Sequence, residues 1–481
     1  MNTSLFEPQI SISIEVVERQ LVTLPISIQL QPGVDKPVPG QPGKTAGSLV
    51  LIKDASGSFL LLVSTGLPGK TSAESFRSAG GAIARWLMEN KVSDATLKAS
   101  AFDPQGVNNA VDYLCEGIWL GAFQFKKYKK SDDQPNCTLY LEGGKSAAAL
   151  RARLENVQKI TFATNLARQI IHEPANVINP QTLSELAEAL AQKYGFKCTV
   201  IDSKQLEELK AGALLAVGQG SKTPARLIVL EYPGQNPEPG TDPVVLVGKA
   251  VTFDTGGYSL KGVDHIVGMK FDKGGGVAVL CSLVAAASLK LKQPVVGIIP
   301  AVENMVSEKA YRPDDILISM SGKSIEIITT DAEGRLILAD ALTYAQKTFK
   351  PKVLIDVATL TGGVIIALGH VRAGILCNNE SLTSALMASG EATHERLWPL
   401  PIDDEYAELI KSSEADIKNS GGREASTIIG AMFLKQFIEE GTIWAHVDIA
   451  GTGETEKNHP YCPKGPTGFG VRLFVDYLQK L

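Results

Sequence analysis

From about residue 175 onward the sequence repeats one rhythm: a short apolar, β-branched run, a polar or glycine-rich break, then a helical pattern. The strand-like runs are residues 197–201, 225–232, 244–247, 295–301, 353–357 and 444–449. Strands that alternate with helices imply a mainly parallel sheet covered on both faces, because a parallel connection needs a crossover long enough to hold a helix. In such a sheet the C-terminal strand ends share one edge, where ligands of open α/β folds collect.

The earlier part uses the same vocabulary with little chemistry attached. Residues 10–16 alternate apolar and polar, and residues 48–52 and 59–63 flank a hairpin signal at 54–57. Residues 31–47 read as a Pro- and Gly-rich loop, residues 72–89 and 106–123 as helices, and residues 137–141 as a short strand. The GLPGKT run at 66–71 stands in P-loop context, but Ser64 occupies the place where that motif needs a glycine, so no phosphate loop is expected. Residues 39–45 fail in the same way, with Val38 where the glycine belongs. A long helical pattern over 145–171 carries no chemistry and reads as a connector. The expected fold is α/β: a small N-terminal α/β domain (1–150), a linker helix (151–172) and a larger α/β domain (173–481) with a mainly parallel central sheet.

A chain of 481 residues has ample core for this plan, and a net charge of -5 does not indicate nucleic acid as a partner. The six cysteines contain no C-x-x-C pair and read as reduced core thiols. No signal-like N-terminus and no apolar run of membrane length is recognised, so the expectation is a cytoplasmic protein without a membrane partner.

Polar clusters come directly after several strands: Lys249 and Asp254 after 244–247, then Lys261 and Asp272, then Asp331, Glu333 and Arg335 after the apolar run 324–328. In an extended backbone, residues i, i+2 and i+4 share a face, which would aim Asp331, Glu333 and Arg335 at one object. Two carboxylates about 4 Å apart repel by roughly 4 kcal/mol at an effective dielectric near 20. Four of them gathered at one edge are relieved most completely by two divalent cations. Lys249 could neutralise the carboxylates as a salt-bridging cation or lose its proton and ligate a metal, and the bare sequence favours the salt bridge.

The motifs VGKAVTFDTGGYSLK (247–261), MKFD (269–272), ENM (303–305), AYRP (310–313), TDAEGRL (330–336), ATLTG (358–362) and KGPTGFGVR (464–472) resemble the leucyl (cytosol) aminopeptidase family over about residues 160–481. The resemblance implies that Asp254 and Glu333 are shared by two metal ions, Zn²⁺ or Mn²⁺, with Lys249 and Asp272 completing the tighter site and Asp331 the looser one. That reverses the salt-bridge reading of Lys249. It further implies that Lys261 polarises the scissile carbonyl, and that Arg335 holds bicarbonate as a proton shuttle. Met269, Thr359, Leu360, Gly362 and Ala450 would line an apolar pocket for a leucine-like first residue.

Short peptides with a free N-terminus and a homohexameric assembly are the implied partners. Two other readings stay open: a catalytically silent member acting as a structural or binding protein, and a two-metal phosphohydrolase. The sequence departs from the family pattern at Thr329, at residues 262–268 including His265, at Asp314 where glycine is common, and at Glu424 and Ala425 in place of two glycines. His370 and His446 read as structural.

Overall fold

The computed structural model describes residues 3–18, 24, 26–36, 39–53, 57–98, 107–130, 136–238 and 240–481. These divide into two compact units: the smaller spans 8–165 with 456–465, and the larger takes the N-terminal residues up to 7 together with 166–455 and 466–481.

In the smaller unit the elements are β1 (Ile12–Val17), β2 (Ile26–Gln31), β3 (Leu49–Lys53), β4 (Phe59–Ser64), α1 (Ala73–Glu89), β5 (Asp94–Lys98), α2 (Ala110–Gly121) and β6 (Cys137–Glu142). Among the described residues they form one sheet in the order β1-β6-β5-β2-β4-β3, parallel except for the β3/β4 hairpin. The hairpin strands pair from Leu49 with Val63 to Lys53 with Phe59, and turn residues 54–56 lie outside the described residues. Strands β2 and β5 carry weak sequence signals and were not among the expected strands. Helices α1 and α2 touch backbone to backbone: a β-carbon on Gly80 would stand 2.1 Å from Leu114 O, and one on Gly117 would stand 2.1 Å from Arg77 O. Buried Leu61, Val63, Ala95, Leu97, Leu139 and Leu141 supply the sheet face that packs with those helices.

Helix α3 (Ala147–His172) begins in the smaller unit and ends in the larger one. The larger unit continues with α4 (Pro180–Tyr194), β7 (Lys197–Ile201), α5 (Ser203–Glu208), α6 (Gly212–Gly218), β8 (Arg226–Tyr232), β9 (Val244–Gly248) and β10 (Ala250–Asp254). Next come α7 (Val263–Ile266), α8 (Gly274–Leu289), β11 (Val295–Asn304), β12 (Ile316–Ile318), β13 (Ser324–Glu326), α9 (Glu333–Phe349), β14 (Val353–Ala358) and α10 (Gly362–Leu368). The chain closes with β15 (Ala373–Cys377), α11 (Glu380–Thr393), β16 (Leu397–Pro399), β17 (Ile417–Lys418), α12 (Ser426–Lys435), β18 (Trp444–Asp448) and α13 (Val471–Gln479).

The main sheet runs β16-β15-β18-β14-β9-β11-β8-β7, with β10 also on β11. Its centre, β18-β14-β9-β11, is parallel, while β8 is antiparallel to β11 and β7, and β15 to β18. Alternation along the strands serves both faces: Val245, Val247, Val296 and Ile298 join the core with Leu336 to Leu342 of α9. A β-carbon on Gly297, facing the other way, would meet Leu283 and Val279 of α8.

Helix α8 is buried all round, as an apolar helix laid on a parallel sheet must be. Within the span 263–289 that contains it, one 18-residue window is apolar enough to cross a membrane by length and composition, but 83% of that window is buried inside the fold, as in a core helix.

One expected strand is corrected. The run 324–328 does not join the main sheet; only Ser324–Glu326 is strand, in a separate sheet β12-β13-β17. The amide N–H groups of Ile328 and Thr329 donate to Asn419 Oδ1, at 2.8 and 3.4 Å, which diverts the backbone from strand pairing.

Two of the family departures fall on special backbone. Asp314 and Ala425 adopt φ of 68° and 50°. This is the left-handed region that glycine enters freely and a β-carbon makes unfavourable by roughly 1–2 kcal/mol.

Candidate metal centre and active-site cleft

Three strand ends deliver the site. Lys249 comes after β9, whose last residue must be small: a β-carbon on Gly248 would stand 2.6 Å from Gly276 Cα in α8. Asp254 closes β10, paired in register with Asn304 at the end of β11. Thr359 and Leu360 come directly after β14. Asp272 leaves a short 3-10 turn, Met269–Phe271, and Glu333 opens α9, where a carboxylate is favoured by the helix dipole.

Ligand atoms of buried Asp254, Asp272 and Glu333 lie within 4.8 Å of one another. Lys249 Nζ stands 2.8 Å from Asp272 Oδ1 and 2.9 Å from Glu333 Oε1, and donates to Thr359 O at 2.9 Å. Lys261 Nζ stands 2.8 Å from Asp254 Oδ2 and 2.6 Å from Asp331 Oδ1. Asp331 thus joins through Lys261 and stays outside the buried triad. The other Asp254 oxygen accepts from Asn304 Nδ2 and Gly256 N, both at 2.8 Å. Asp272 Oδ1 also accepts from Thr359 Oγ1 at 2.7 Å, whereas Asp272 Oδ2 is buried without a partner.

The electrostatics arise from burial and crowding. Burial, with Glu333 and Asp254 adding to it against the pull of Lys249, pushes the Asp272 carboxyl up to about 7. Burial and then Glu333 push Asp331 up to about 6. Burial also raises Glu333, but Lys249 and Lys261 outweigh it and hold this carboxyl below its ordinary value. Burial lowers the Lys249 ammonium, yet Asp272, Glu333 and Asp254 overcome it and hold it well above the usual lysine value. Four carboxylates against two ammonium groups leave an uncompensated negative charge of two in the cluster. An all-oxygen set with that charge and an orphaned oxygen, Asp272 Oδ2, fits hard divalent cations.

Arg335 corrects the extended-chain reading. Glu333 and Arg335 both lie in α9, where two positions turn the side chain by roughly 200°. Arg335 is tied outside the carboxylate cluster: its Nη1 donates to Asn419 O at 2.8 Å, and its buried Nε has no partner. Burial lowers this guanidinium to about 10. It does not line the cleft.

That cleft, about 430 Å³, has the cluster on its wall, and Met269, Thr359, Leu360, Gly362 and Ala450 line it. Sequence reasoning missed Phe271, Gly274, Ile365, Gly453 and Glu454 in the lining, which also includes His265 from the segment that departs from the family pattern. Two supporting residues were missed as well. Asn304 ties Asp254 to Thr330 O at 3.0 Å, and the Asn419 amide donates to Thr329 O at 2.7 Å. No periodicity marks either asparagine; the ENM motif was the one signal for Asn304. His446 is a sealed structural residue, paired at 2.5 Å with Asp356, which also accepts from Trp444 Nε1.

Residues 165–475 match the family model described as the cytosol aminopeptidase family, catalytic domain, and residues 39–132 match its N-terminal domain. The chain is 44% identical over 429 residues to a probable cytosol aminopeptidase of Syntrophotalea carbinolica, covering 88% of this chain and 85% of the relative. It is 40% identical to one of Cenarchaeum symbiosum, over 93% and 92%. Among solved structures, the bottromycin maturation enzyme BotP in complex with Mn superposes with a TM-score of 0.86 at 31% identity, covering 95% of this chain and 99% of that one. A buried triad of carboxylates at the strand ends, within a two-domain family match of this extent, makes the chain a member of the cytosol aminopeptidase family, a family of metal-dependent peptide hydrolases.

Proposed function

We propose that this enzyme removes the first residue of short peptides, favouring leucine-like side chains, with two divalent ions, Zn²⁺ or Mn²⁺, held in the carboxylate cluster. The observation that carries the reading is the buried triad Asp254, Asp272 and Glu333 on the wall of a cleft large enough for an amino-acid side chain. Asp254 and Glu333 would serve both ions, Lys249 and Asp272 one, and Asp331 the other. The nearness of Lys249 Nζ to two of these carboxylates supports its nitrogen as a further ligand, with a bound cation taking the place of the proton they now hold on it. Divalent ions bound there supply Lewis acidity, lowering the pKa of water and polarising a carbonyl.

The chain's own groups do the rest. The carboxylates on the cleft wall favour a substrate's free α-ammonium group. Lys261, on the same wall, donates to the carbonyl oxygen as negative charge develops. Arg335 stands behind the lining rather than in it, and its unpartnered Nε supports a role in holding an anion, bicarbonate, that reaches the cleft to accept and return a proton. Met269, Leu360 and Ala450 bury the first side chain, with Thr359 and Gly362 leaving it room. The relatives' names support a cytosolic setting, and the family resemblance supports a homohexamer, which light scattering tests.

Release of p-nitroaniline from Leu-p-nitroanilide is the decisive assay. Activity with Zn²⁺ or Mn²⁺, lost on chelation and restored by the metal, is expected, and N-acetylation of the leucine should abolish it. Absence of turnover with either metal would favour the catalytically silent reading. Phosphate-ester hydrolysis indifferent to peptide acetylation would favour the phosphohydrolase.

A further inference from the structure

Asp448, the last residue of β18, is fully buried and stands outside the carboxylate cluster, yet it is bonded to two segments of the cleft wall. Its Oδ1 accepts from Leu360 N at 3.2 Å and from Ala450 N at 3.1 Å, and its Oδ2 accepts from Thr361 Oγ1 at 2.6 Å. Leu360, Thr361 and Ala450 all line the cleft. The first two follow β14 and the third follows β18, so one carboxylate joins the loops that leave two neighbouring strands. The residues paired with Asp448 across the sheet are Ala358 and Gly374, which leave room beside it for Thr361. A β-carbon on Gly374 would already stand 3.1 Å from Val364 Cγ2 in α10, the helix that Thr361 caps.

The segment that Asp448 holds at one end is held by the cluster at the other. Thr359 O accepts from Lys249 Nζ at 2.9 Å, and Thr359 Oγ1 donates to Asp272 Oδ1 at 2.7 Å. Residues 359–361 thus form a short span clamped between the cluster and Asp448. A buried carboxylate is costly to keep, and both oxygens of this one are occupied by donors that fix backbone lining the cleft. Freeing that end would let the span shift against the cluster, and a misplacement of about 1 Å costs on the order of 100-fold in rate. We propose that Asp448 is a positioning residue, which touches neither substrate nor metal but holds Leu360, Thr361 and Ala450 in register with the carboxylate cluster; this rests on the aminopeptidase reading above.

The test compares Asp448→Leu, which keeps the size of the side chain and removes every acceptor, with Asp448→Asn, which keeps an oxygen for the two amides and an N–H for Thr361 Oγ1. Thr361→Val and Thr361→Ser make the same comparison with Asp448 intact, so the test survives if Asp448→Leu does not fold. Two quantities are read on the full-length protein: kcat and KM for Leu-p-nitroanilide at saturating Mn²⁺, and amide exchange of peptides covering 358–362 and 449–453 without metal. In Asp448→Leu kcat should fall about 10- to 100-fold with KM changing less than about threefold, and in Thr361→Val about 10-fold. The covering peptides should exchange faster in both, and the Asn and Ser variants should recover most of the kcat and of the protection. Faster exchange with unchanged kcat makes Asp448 a purely structural residue and overturns the proposal, as does a loss of kcat with exchange unmoved. A wild type that does not turn over Leu-p-nitroanilide overturns the aminopeptidase reading and the claim on rate with it, whereas unmoved exchange overturns the clamp alone.

Discussion

The smaller and larger units are built from the same parts, parallel strands with helices packed on them, yet they treat buried polar groups differently. In the smaller unit, Arg77 and Glu116 meet between α1 and α2 at 2.7 Å, an ion pair with both ends occupied. In the larger unit the same kind of burial leaves atoms unmatched. Among the described residues, all six buried side-chain N and O atoms without a partner lie there, and three of them, on Asp272, Asn304 and Arg335, belong to residues in or beside the carboxylate cluster. Native proteins satisfy nearly all such atoms, so a local concentration of exceptions marks where an additional group is expected. The architecture is shared. The chemistry resides in the segments at the ends of β9, β10 and β14.

Substitutions can separate the two behaviours, and the largest effect is expected at the cluster. Glu333→Gln removes a charge from the triad and a partner from Lys249. It should lower kcat/KM for Leu-p-nitroanilide by about a thousandfold or more, with urea melts showing the enzyme still folded. Leu139→Ala, in the fully buried centre of the smaller sheet, should destabilise that unit by about 2–5 kcal/mol in denaturant titrations while Mn²⁺ affinity holds. A large drop in Mn²⁺ affinity there would break the separation drawn between the units.

Asn304→Ala deprives Asp254 of a donor without touching a proposed ligand, and should weaken Mn²⁺ binding by about 10- to 100-fold in equilibrium dialysis. The smallest effect belongs to Ala425→Gly. Its φ of 50° is relieved by removing the β-carbon, so stability should rise by about 1 kcal/mol with the metal site unaltered. A fall in stability would show that the alanine side chain contributes more by packing than its backbone costs.

The strand-helix alternation made much of the larger fold legible, because β-branched runs between helical patterns admit few arrangements. It also placed Lys249, Asp254 and Thr359 at strand ends. What it could not supply was direction. The antiparallel edges at β8 and β15 read no differently from parallel strands, since both are apolar where covered. The alternation of Asp331, Glu333 and Arg335 looked like one face of an extended chain. The helix begins at Glu333, inside the run that reading takes as extended, and Arg335 donates to Asn419, whose 84-residue separation no local pattern reveals. Glu454 escaped notice for a similar reason: which residues line a cleft depends on tertiary packing, and its position breaks no periodic pattern.

The bond from Lys249 Nζ to Thr359 O spans 110 residues and has a consequence for timing. Asp254, Asp272 and Glu333 all precede in sequence strand β14, whose end presents this acceptor, so the Lys249 bond that ties the cluster to it forms only once β14 has docked beside β9. Contacts of such separation form late, after the entropy of loop closure has been overcome. Metal uptake should therefore complete folding rather than nucleate it. In stopped-flow refolding, recovery of peptidase activity should lag behind burial of Trp444, and the lag should not shorten as Mn²⁺ concentration is raised.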